Sequence, residues 1–275
     1  DQHQAKVIFF TGDLTLGWSK PGQESKNTSQ TINGKDSEDP LTNTWLEKGY
    51  SYDPTIFSTQ LKQFHLLFKN RFKEPIALYP IMGSHEAIGP DAKNIFEKEF
   101  NIKGIIPDAD DQLGYTVSIG NAFFALIPTN YYDNKKHQII NHTISPETIA
   151  WLKSVLKEAK LTHRYLFVIG HEPAYSTPSI FNKNLGLNLH AEQRDSFWNT
   201  LKENGVLAYF TSHEHVYDRS NRDGVWQVIS GGGGSPLNQG GENNHAFFHS
   251  LLLVIPQNEK GVPSVTVLDK DGNVR

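Results

Sequence analysis

The sequence predicts an α/β protein whose functional groups lie at one edge of a β-sheet. Strand-like and helix-like segments alternate regularly after residue 55, and four apolar runs each end in a short turn followed by Asp or His. Because open α/β sheets bind ligands beyond the carboxyl ends of their strands, four such ends predict one shared site. The runs and the groups that follow them are Phe9–Phe10 before Asp13, Ala77–Met82 before His85, Tyr165–Ile169 before His171, and Val206–Phe210 before His213 and His215.

The helices and strands are predicted from periodicity and from their end signals. Residues 55–73 repeat apolar side chains at helical spacing, which predicts an amphipathic helix. Ser145 is an N-cap for a helix over 145–160, and Gly205 ends a helix over 191–204. The other predicted elements are a helix over residues 91–100, a hairpin over 115–127 turning at Gly120-Asn121, and strands over 226–229, 249–255 and 264–268.

Composition excludes several classes of protein. The net charge is −4 and there is no basic block, so the chain lacks the electrostatic footprint of a nucleic-acid-binding protein. No apolar run approaches the length that spans a bilayer. There are no cysteines, so any metal ion must be held by nitrogen and oxygen atoms.

The chain is expected to form a single domain over residues 5–272. Residues 15–54 are rich in Ser, Asn, Thr, Gly and Lys with little periodicity, which predicts a long surface insertion. The chain begins at Asp1 rather than Met, which indicates a processed or incomplete chain. Export is compatible with this start, but neither the compartment nor the oligomeric state follows from the sequence.

The polar groups at the strand ends are the ligand types of Zn, Fe or Mn. The two carboxylate oxygens of Asp13 can bind separate cations, and three histidines can supply neutral nitrogens. In an extended stretch, His213 and His215 point the same way and Glu214 faces away, so the pair addresses adjacent metals from one side. The imidazole of His85 can protonate a leaving group.

Four motifs resemble those of the calcineurin-like metallophosphoesterases, and two stretches are similar to the purple acid phosphatase branch. The stretches are GHEPAYS (170–176) and SHEHVYDRS (212–220). The resemblance, over about residues 5–272, implies a four-layer α/β/β/α sandwich of two mixed β-sheets flanked by helices, with a two-metal centre. The motifs are Gly12-Asp13, Gly83-Ser84-His85-Glu86, Gly170-His171-Glu172-Pro173 and Ser212-His213-Glu214-His215.

The resemblance also implies a role for each motif residue. Asp13 would bridge two metal ions (Mn, Zn or Fe), His171 and His213 would bind one ion, and His215 would bind the other. His85 would be the catalytic imidazole.

Two departures from the family pattern leave part of the metal centre open. Ser84 stands where the family has a metal-binding Asn, and a hydroxyl is a poorer and shorter ligand than an amide oxygen. The four motifs correspond to the second to fifth motifs of the family. The family's first motif normally supplies an Asp and often a His, and Asp1-x-His3 contains these residue types. Only nine residues separate His3 from Asp13, however, and a parallel crossover needs about a dozen or more. The first βα unit of the family is therefore expected to be absent from this chain.

The predicted function is a metal-dependent phosphoesterase that hydrolyses a phosphomonoester or a small phosphodiester. Two cations about 3.5–4 Å apart clamp the attacking and leaving oxygens of such an in-line displacement. The expected partner is a small phosphorylated substrate. The alternative is a catalytically degenerate phosphatase-like domain that binds a ligand or a protein partner, with residues 15–54 as its recognition surface.

Overall fold

A six-stranded mixed sheet is the central layer of the computed structural model, which describes residues 5–18, 48, 50–177, 186–237, 246–257 and 260–275. The helices are α1 (Pro54–Arg71), α2 (Ala92–Phe100), α3 (Pro146–Ala159) and α4 (Ala191–Asn204). The strands are β1 (Val7–Phe10), β2 (Ala77–Pro80), β3 (Tyr115–Ile119), β4 (Ala122–Leu126), β5 (Tyr131–Asp133), β6 (Gln138–Ile140), β7 (Tyr165–Ile169), β8 (Ala208–Thr211), β9 (Tyr217–Arg222), β10 (Val225–Ser230), β11 (His249–Val254) and β12 (Ser264–Asp269).

The central sheet directs four strand ends to the same edge. Its strand order is β3-β4-β7-β8-β10-β9. Strands β4, β7, β8 and β10 run parallel, while β3 and β9 pair antiparallel at the two edges. The carboxyl ends of β7 and β8, which precede the predicted histidine ligands, are therefore neighbours.

The second β-layer consists of two separate pairs, the parallel pair β1-β2 and the antiparallel pair β11-β12. Phe9 of β1 packs on Phe124 of the central sheet, with ring centroids 4.5 Å apart. Leu251 and Leu253 of β11 pack against the same core cluster. Two mixed sheets were expected, and the six-stranded sheet is one of them. In the second layer, the described strands of the two pairs are not hydrogen-bonded to each other, so this layer is not a continuous sheet.

Side chains on the central strands alternate between two cores, as the two-residue period of a strand requires. Phe124 and Phe167 face the core that contains β1, β2 and side chains of α1 and α2. Phe123, Val168 and Tyr209 face the core beneath α3 and α4. The fold is thus the four-layer α/β/β/α arrangement that the motifs implied, with buried side chains on both faces of the sheet.

The end signals in the sequence are confirmed. Ser145 caps α3 by accepting a hydrogen bond from the Thr148 backbone N–H at 3.1 Å. Gly205 ends α4 in the left-handed conformation, with φ +71°. The β3-β4 hairpin turns at Gly120, which has φ +57°. Periodicity missed β5, β6 and β9, since two of these strands have three residues and the third is almost entirely polar.

Most of the expected insertion over residues 15–54, together with Asp1 and His3, lies outside the described residues. At its described ends, Trp18 and Tyr52 are buried in the core beside α1. In the described part of the chain, no helix is long and apolar enough to cross a membrane.

Ser145→Ala is expected to lower the free energy of unfolding by about 1 kcal/mol, because the Thr148 N–H loses its acceptor. The matched control is Ser154→Ala, an exposed position on the same helix, which should change stability by less than about 0.5 kcal/mol. Urea denaturation measures both. Equal losses in the two variants would contradict the assignment of Ser145 as a cap.

Candidate metal centre

Three predicted ligands from three different strands converge at the carboxyl edge of the sheets. Asp13 follows β1, His171 follows β7, and His213 follows β8. One ligand atom from each lies within 4.8 Å of the others, and we call these three residues the Asp13 cluster. His171 is completely buried, while the other two are partly accessible, so the cluster is open on one side.

The spacing of the three ligand atoms matches ligands that share one cation. His171 Nε2 lies 3.1 Å from Asp13 Oδ2 and 3.2 Å from His213 Nδ1. Four-coordinate zinc with bonds of about 2.0–2.2 Å places neighbouring ligand atoms roughly 3.3–3.6 Å apart. The two observed separations are slightly shorter than this, so a small outward shift of the side chains would accommodate an ion.

Backbone carbonyls fix the imidazole of His171. Its Nδ1 donates to the Thr11 carbonyl oxygen at 2.7 Å, because a carbonyl can only accept. Ser212 Oγ donates to the same oxygen at 2.7 Å. Metal-binding histidines typically donate their second ring N–H in this way, which sets the tautomer and the ring orientation. His171 therefore presents an Nε2 that is already directed at Asp13.

Two glycines allow the loop after β1 to approach the loop after β2. A Cβ at Gly83 would lie 2.3 Å from Asp13 Oδ1, and a Cβ at Gly12 would lie 2.7 Å from the Gly83 Cα. Gly12 also has φ +94°, a conformation that residues with side chains rarely adopt. The position of the Asp13 carboxylate thus depends on the absence of side chains at these two residues.

The buried carboxylate of Glu86 holds the two loops together. Its Oε2 accepts from the backbone N–H of Asp13 at 2.8 Å and of Gly83 at 2.9 Å. Its Oε1 accepts from the Thr15 N–H at 3.0 Å. Burial and the nearby charge of Asp13 raise the pKa of Glu86 to about 7, although these hydrogen bonds oppose the rise. Glu86 belongs to the motif Gly83-Ser84-His85-Glu86, but its positioning role was not predicted from the sequence.

The charges within the Asp13 cluster are strongly coupled. Burial raises the pKa of Asp13, but the surrounding histidines, His171 above all, outweigh it and hold the pKa well below its usual range. Burial lowers the pKa of His171, yet the Asp13 carboxylate raises it to about 9. For His213, burial lowers the pKa to about 4. Without a cation, the positive charge beside Asp13 is therefore a proton on His171.

The other three predicted residues surround the cluster without joining it. Ser84 Oγ donates to Asp13 Oδ1 at 3.4 Å, and the His85 backbone N–H donates to the same atom at 3.0 Å. The His85 Nδ1 donates to the Leu16 carbonyl oxygen at 2.8 Å. His215 Nδ1 donates to the Pro236 carbonyl oxygen at 2.7 Å. In both histidines a backbone carbonyl therefore engages Nδ1 and fixes the orientation of the ring.

The expectation that His213 and His215 lie in one extended stretch is wrong. His213 has φ +64°, and the Glu214 N–H donates to the Ser212 carbonyl at 2.7 Å, which closes a three-residue γ-turn around His213. This turn directs the His213 ring towards His171. A period-two argument fails here because β8 has already ended at Thr211.

A second group of metal-ligand side chains was not predicted from the sequence. His142, Glu172 and His213 also offer ligand atoms within 4.8 Å of one another. Glu172 belongs to the motif Gly170-His171-Glu172-Pro173 but was given no role, and His142 was not among the predicted residues. The hairpin of β5 and β6 places His142 beside Glu172, and this hairpin was too short to recognise by periodicity.

Comparison with known proteins identifies the family. A sequence profile of the calcineurin-like phosphoesterases matches residues 1–217, so the chain belongs to that family. No curated protein matches the sequence. Among solved structures, purple acid phosphatase PPD1 from yellow lupin (Lupinus luteus) seeds is similar with a TM-score of 0.61 at 15% identity, covering 98% of this chain and 52% of that one.

A second similar structure is that of GAP50, the anchor in the inner membrane complex of Plasmodium. It gives a TM-score of 0.54 at 16% identity and covers 99% of this chain and 77% of that one. The chain spans about half the length of the lupin enzyme. At these identities the two structures show a shared fold, and together with the family they confirm the metallophosphatase architecture predicted from the motifs.

In the metal-free protein, the ring of His171 is expected to titrate at about 9, because the Asp13 carboxylate stabilises its protonated form. Binding of Mn²⁺ at pH 7 should therefore release about one proton from this ring. NMR titration of the ring measures its pKa. Calorimetry in two buffers of different ionisation enthalpy measures the number of protons released. Asp13→Asn is the control: without the carboxylate, burial dominates and the midpoint should fall below its usual range. A midpoint unchanged by this substitution would contradict the coupling.

Gly83→Ala is expected to weaken Mn²⁺ binding at least about tenfold, because the new Cβ collides with Asp13 Oδ1. The matched control is Gly233→Ala, where a Cβ meets no atom within 4 Å and binding should not change. Isothermal titration calorimetry measures both affinities. Equal affinity in the two variants would show that the position of Asp13 does not govern binding.

Proposed function

We propose that the protein is a metal-dependent phosphoesterase that hydrolyses a phosphomonoester or a small phosphodiester at the edge where Asp13, His171 and His213 meet. The observation that carries this proposal is the convergence of their ligand atoms within 4.8 Å of one another, with Asp13 and His213 partly accessible. Membership of the calcineurin-like phosphoesterase family supports the same reaction class. Each of these residues also follows the end of a strand, which is where α/β sheets bind ligands.

The donor types of the proposed ligands suit a centre of two metal ions. Carboxylate and neutral imidazole are the donors that Mn, Zn and Fe accept in proteins without thiolates. Asp13, His171 and His213 would hold one ion. Asp13, Ser84 and His215 are the proposed ligands of the other. When bound, two such ions supply an acidified water and offset the charge that develops on the phosphoryl oxygens.

His85 is the proposed general acid. Its Nδ1–H is engaged by the Leu16 carbonyl, so Nε2 is the atom that gains and donates the catalytic proton. Its backbone N–H binds Asp13 Oδ1 at 3.0 Å, which ties the imidazole to the proposed bridging carboxylate. The half-buried side chain can reach a leaving alkoxide while its backbone stays fixed.

A second candidate is a phosphatase-like domain that binds a cation or a partner without turnover. The specific observation in its favour is Ser84, whose hydroxyl donates to Asp13 Oδ1 and so uses a lone pair of the proposed bridging oxygen. This candidate would use the same Asp13 cluster as the enzyme but would not hydrolyse a substrate. Metal binding without hydrolysis of any phosphate ester would favour it.

His85→Ala is expected to lower kcat about 100-fold or more with an alkyl phosphate such as glycerol phosphate, because the leaving alkoxide needs a proton. With 4-nitrophenyl phosphate the loss should be smaller, since nitrophenolate leaves as a stable anion. Asp13→Asn should abolish turnover of both esters. The rates are measured after loading with Mn²⁺, Zn²⁺ or iron.

The matched control for these variants is His163→Ala, at a histidine beyond the end of α3 that lies outside the site. Its rates should equal those of the unmodified protein, and circular dichroism should show all variants folded. Equal losses on both esters in His85→Ala would refute a general-acid role. Full activity in Asp13→Asn would refute the proposed centre.

A further inference from the structure

Behind His213, on the buried side of the site, lies the second group of ligand-type side chains: His142, Glu172 and His213, here called the inner cluster. His142 is 2% exposed and Glu172 is fully buried. The inner cluster shares only His213 with the Asp13 cluster. The rings of His142 and His213 meet edge to face, with centroids 5.7 Å apart. Two ligand-type side chains, one of them a carboxylate, are thus buried where none of the assigned motif roles uses them.

The carboxylate of Glu172 is oriented by neighbours that leave one oxygen for the cluster. Its Oε1 accepts from Asn130 Nδ2 at 2.5 Å, while its Oε2 is hydrogen-bonded to His142 Nδ1. The Asn130 amide is itself held by Asn141 Oδ1 at 3.0 Å and by the Thr129 hydroxyl at 2.8 Å. Ligating carboxylates are typically braced by hydrogen bonds of this kind.

The inner cluster concentrates negative charge that needs a positive partner. The carboxylate of Glu172 is fully buried, and its Oε2 is hydrogen-bonded to His142 Nδ1. A buried carboxylate is costly unless it is paired. A divalent cation bound between Glu172 and His142 would provide such a partner, with both side chains as its ligands.

The backbone at two of the three residues adopts a conformation that is uncommon for side-chain-bearing residues. His142 has φ +59° and His213 has φ +64°. Such strain persists where the surrounding structure enforces it, and it concentrates at functional sites. Here the left-handed turns direct both imidazoles towards the same carboxylate.

We propose that His142, Glu172 and His213 form a cation site of their own, separate from the proposed centre at Asp13 and suited to Zn²⁺. The imidazole of His213 has two ring nitrogens, and Nδ1 faces His171. One ring can therefore serve both clusters if cation binding releases the remaining ring proton to solvent, which leaves an imidazolate with two donor nitrogens. The inner site rests on the proposed function only through this shared ring. Glu172 and His142 are its exclusive ligands.

The test counts zinc in the complete 275-residue chain. The protein is stripped with a chelator, loaded with Zn²⁺, freed of excess metal and analysed by elemental mass spectrometry. Glu172→Gln should bind one zinc fewer than the unmodified protein, because a neutral amide of the same shape replaces the carboxylate. Asp13→Asn should lose the zinc of the proposed centre at Asp13 and keep the inner zinc, so the double variant should show the sum of both losses. The matched control is Asp53→Asn, a buried carboxylate at the start of α1, which should keep the full count.

The outcomes separate the inner site from the proposed function. A full zinc count in Glu172→Gln overturns the inner site. This holds also if the affinity for zinc falls while the count stays full, because Glu172 would then act only through His213. A full count in Asp13→Asn together with a loss in Glu172→Gln leaves the inner site standing and refutes the centre at Asp13.

A spectroscopic measurement covers the case in which Glu172→Gln fails to fold. Asp13→Asn is loaded with Zn²⁺, and zinc-edge X-ray absorption should show imidazole nitrogens and a carboxylate oxygen around the remaining ion. Adding His142→Gln to this variant should remove one imidazole from the signal. An unchanged signal overturns the inner site, since His142 would then not be a ligand.

Discussion

The contact between Asp13 and His171 joins the two β-layers at the edge where the site is built. Asp13 extends from β1 in the smaller layer, and His171 extends from β7 in the central sheet, with 3.1 Å between Oδ2 and Nε2. Two further bonds to the Thr11 carbonyl, from His171 and from Ser212, reinforce this junction. The distances between the other proposed ligands depend on the contact between Asp13 and His171, because each ligand belongs to one β-layer or the other.

Such a junction is stable only because its charges have partners. A buried ion pair can cost more in desolvation than its attraction returns, unless additional hydrogen bonds satisfy the remaining atoms. Here the His85 N–H binds the second oxygen of Asp13, and Glu86 binds the Asp13 N–H. Residual strain remains, since Asp13 and His213 both have positive φ. The geometry is therefore imposed by the surrounding fold, as expected of a site organised before its ligand arrives.

The sequence predicted those parts of the site that depend on strand ends. Asp13, His171 and His213 each follow an apolar strand closely, so their meeting at one edge follows from the parallel order of the strands. The turn at His213 was not predictable, because its positive φ depends on the chain leaving the sheet immediately after β8. His142 was missed because its approach to Glu172 depends on a hairpin of two three-residue strands and on the buried amides of Asn130 and Asn141. Contacts of this kind leave no periodic signal.

The central claim is that Asp13, His171 and His213 hold a metal ion between the two β-layers. Anomalous diffraction from crystals loaded with Mn²⁺ tests it most directly. The account predicts an anomalous peak at bonding distance, about 2.0–2.3 Å, from Asp13 Oδ2, His171 Nε2 and His213 Nδ1. A fully loaded crystal in which these three atoms remain hydrogen-bonded to each other, with the manganese bound elsewhere, would contradict it.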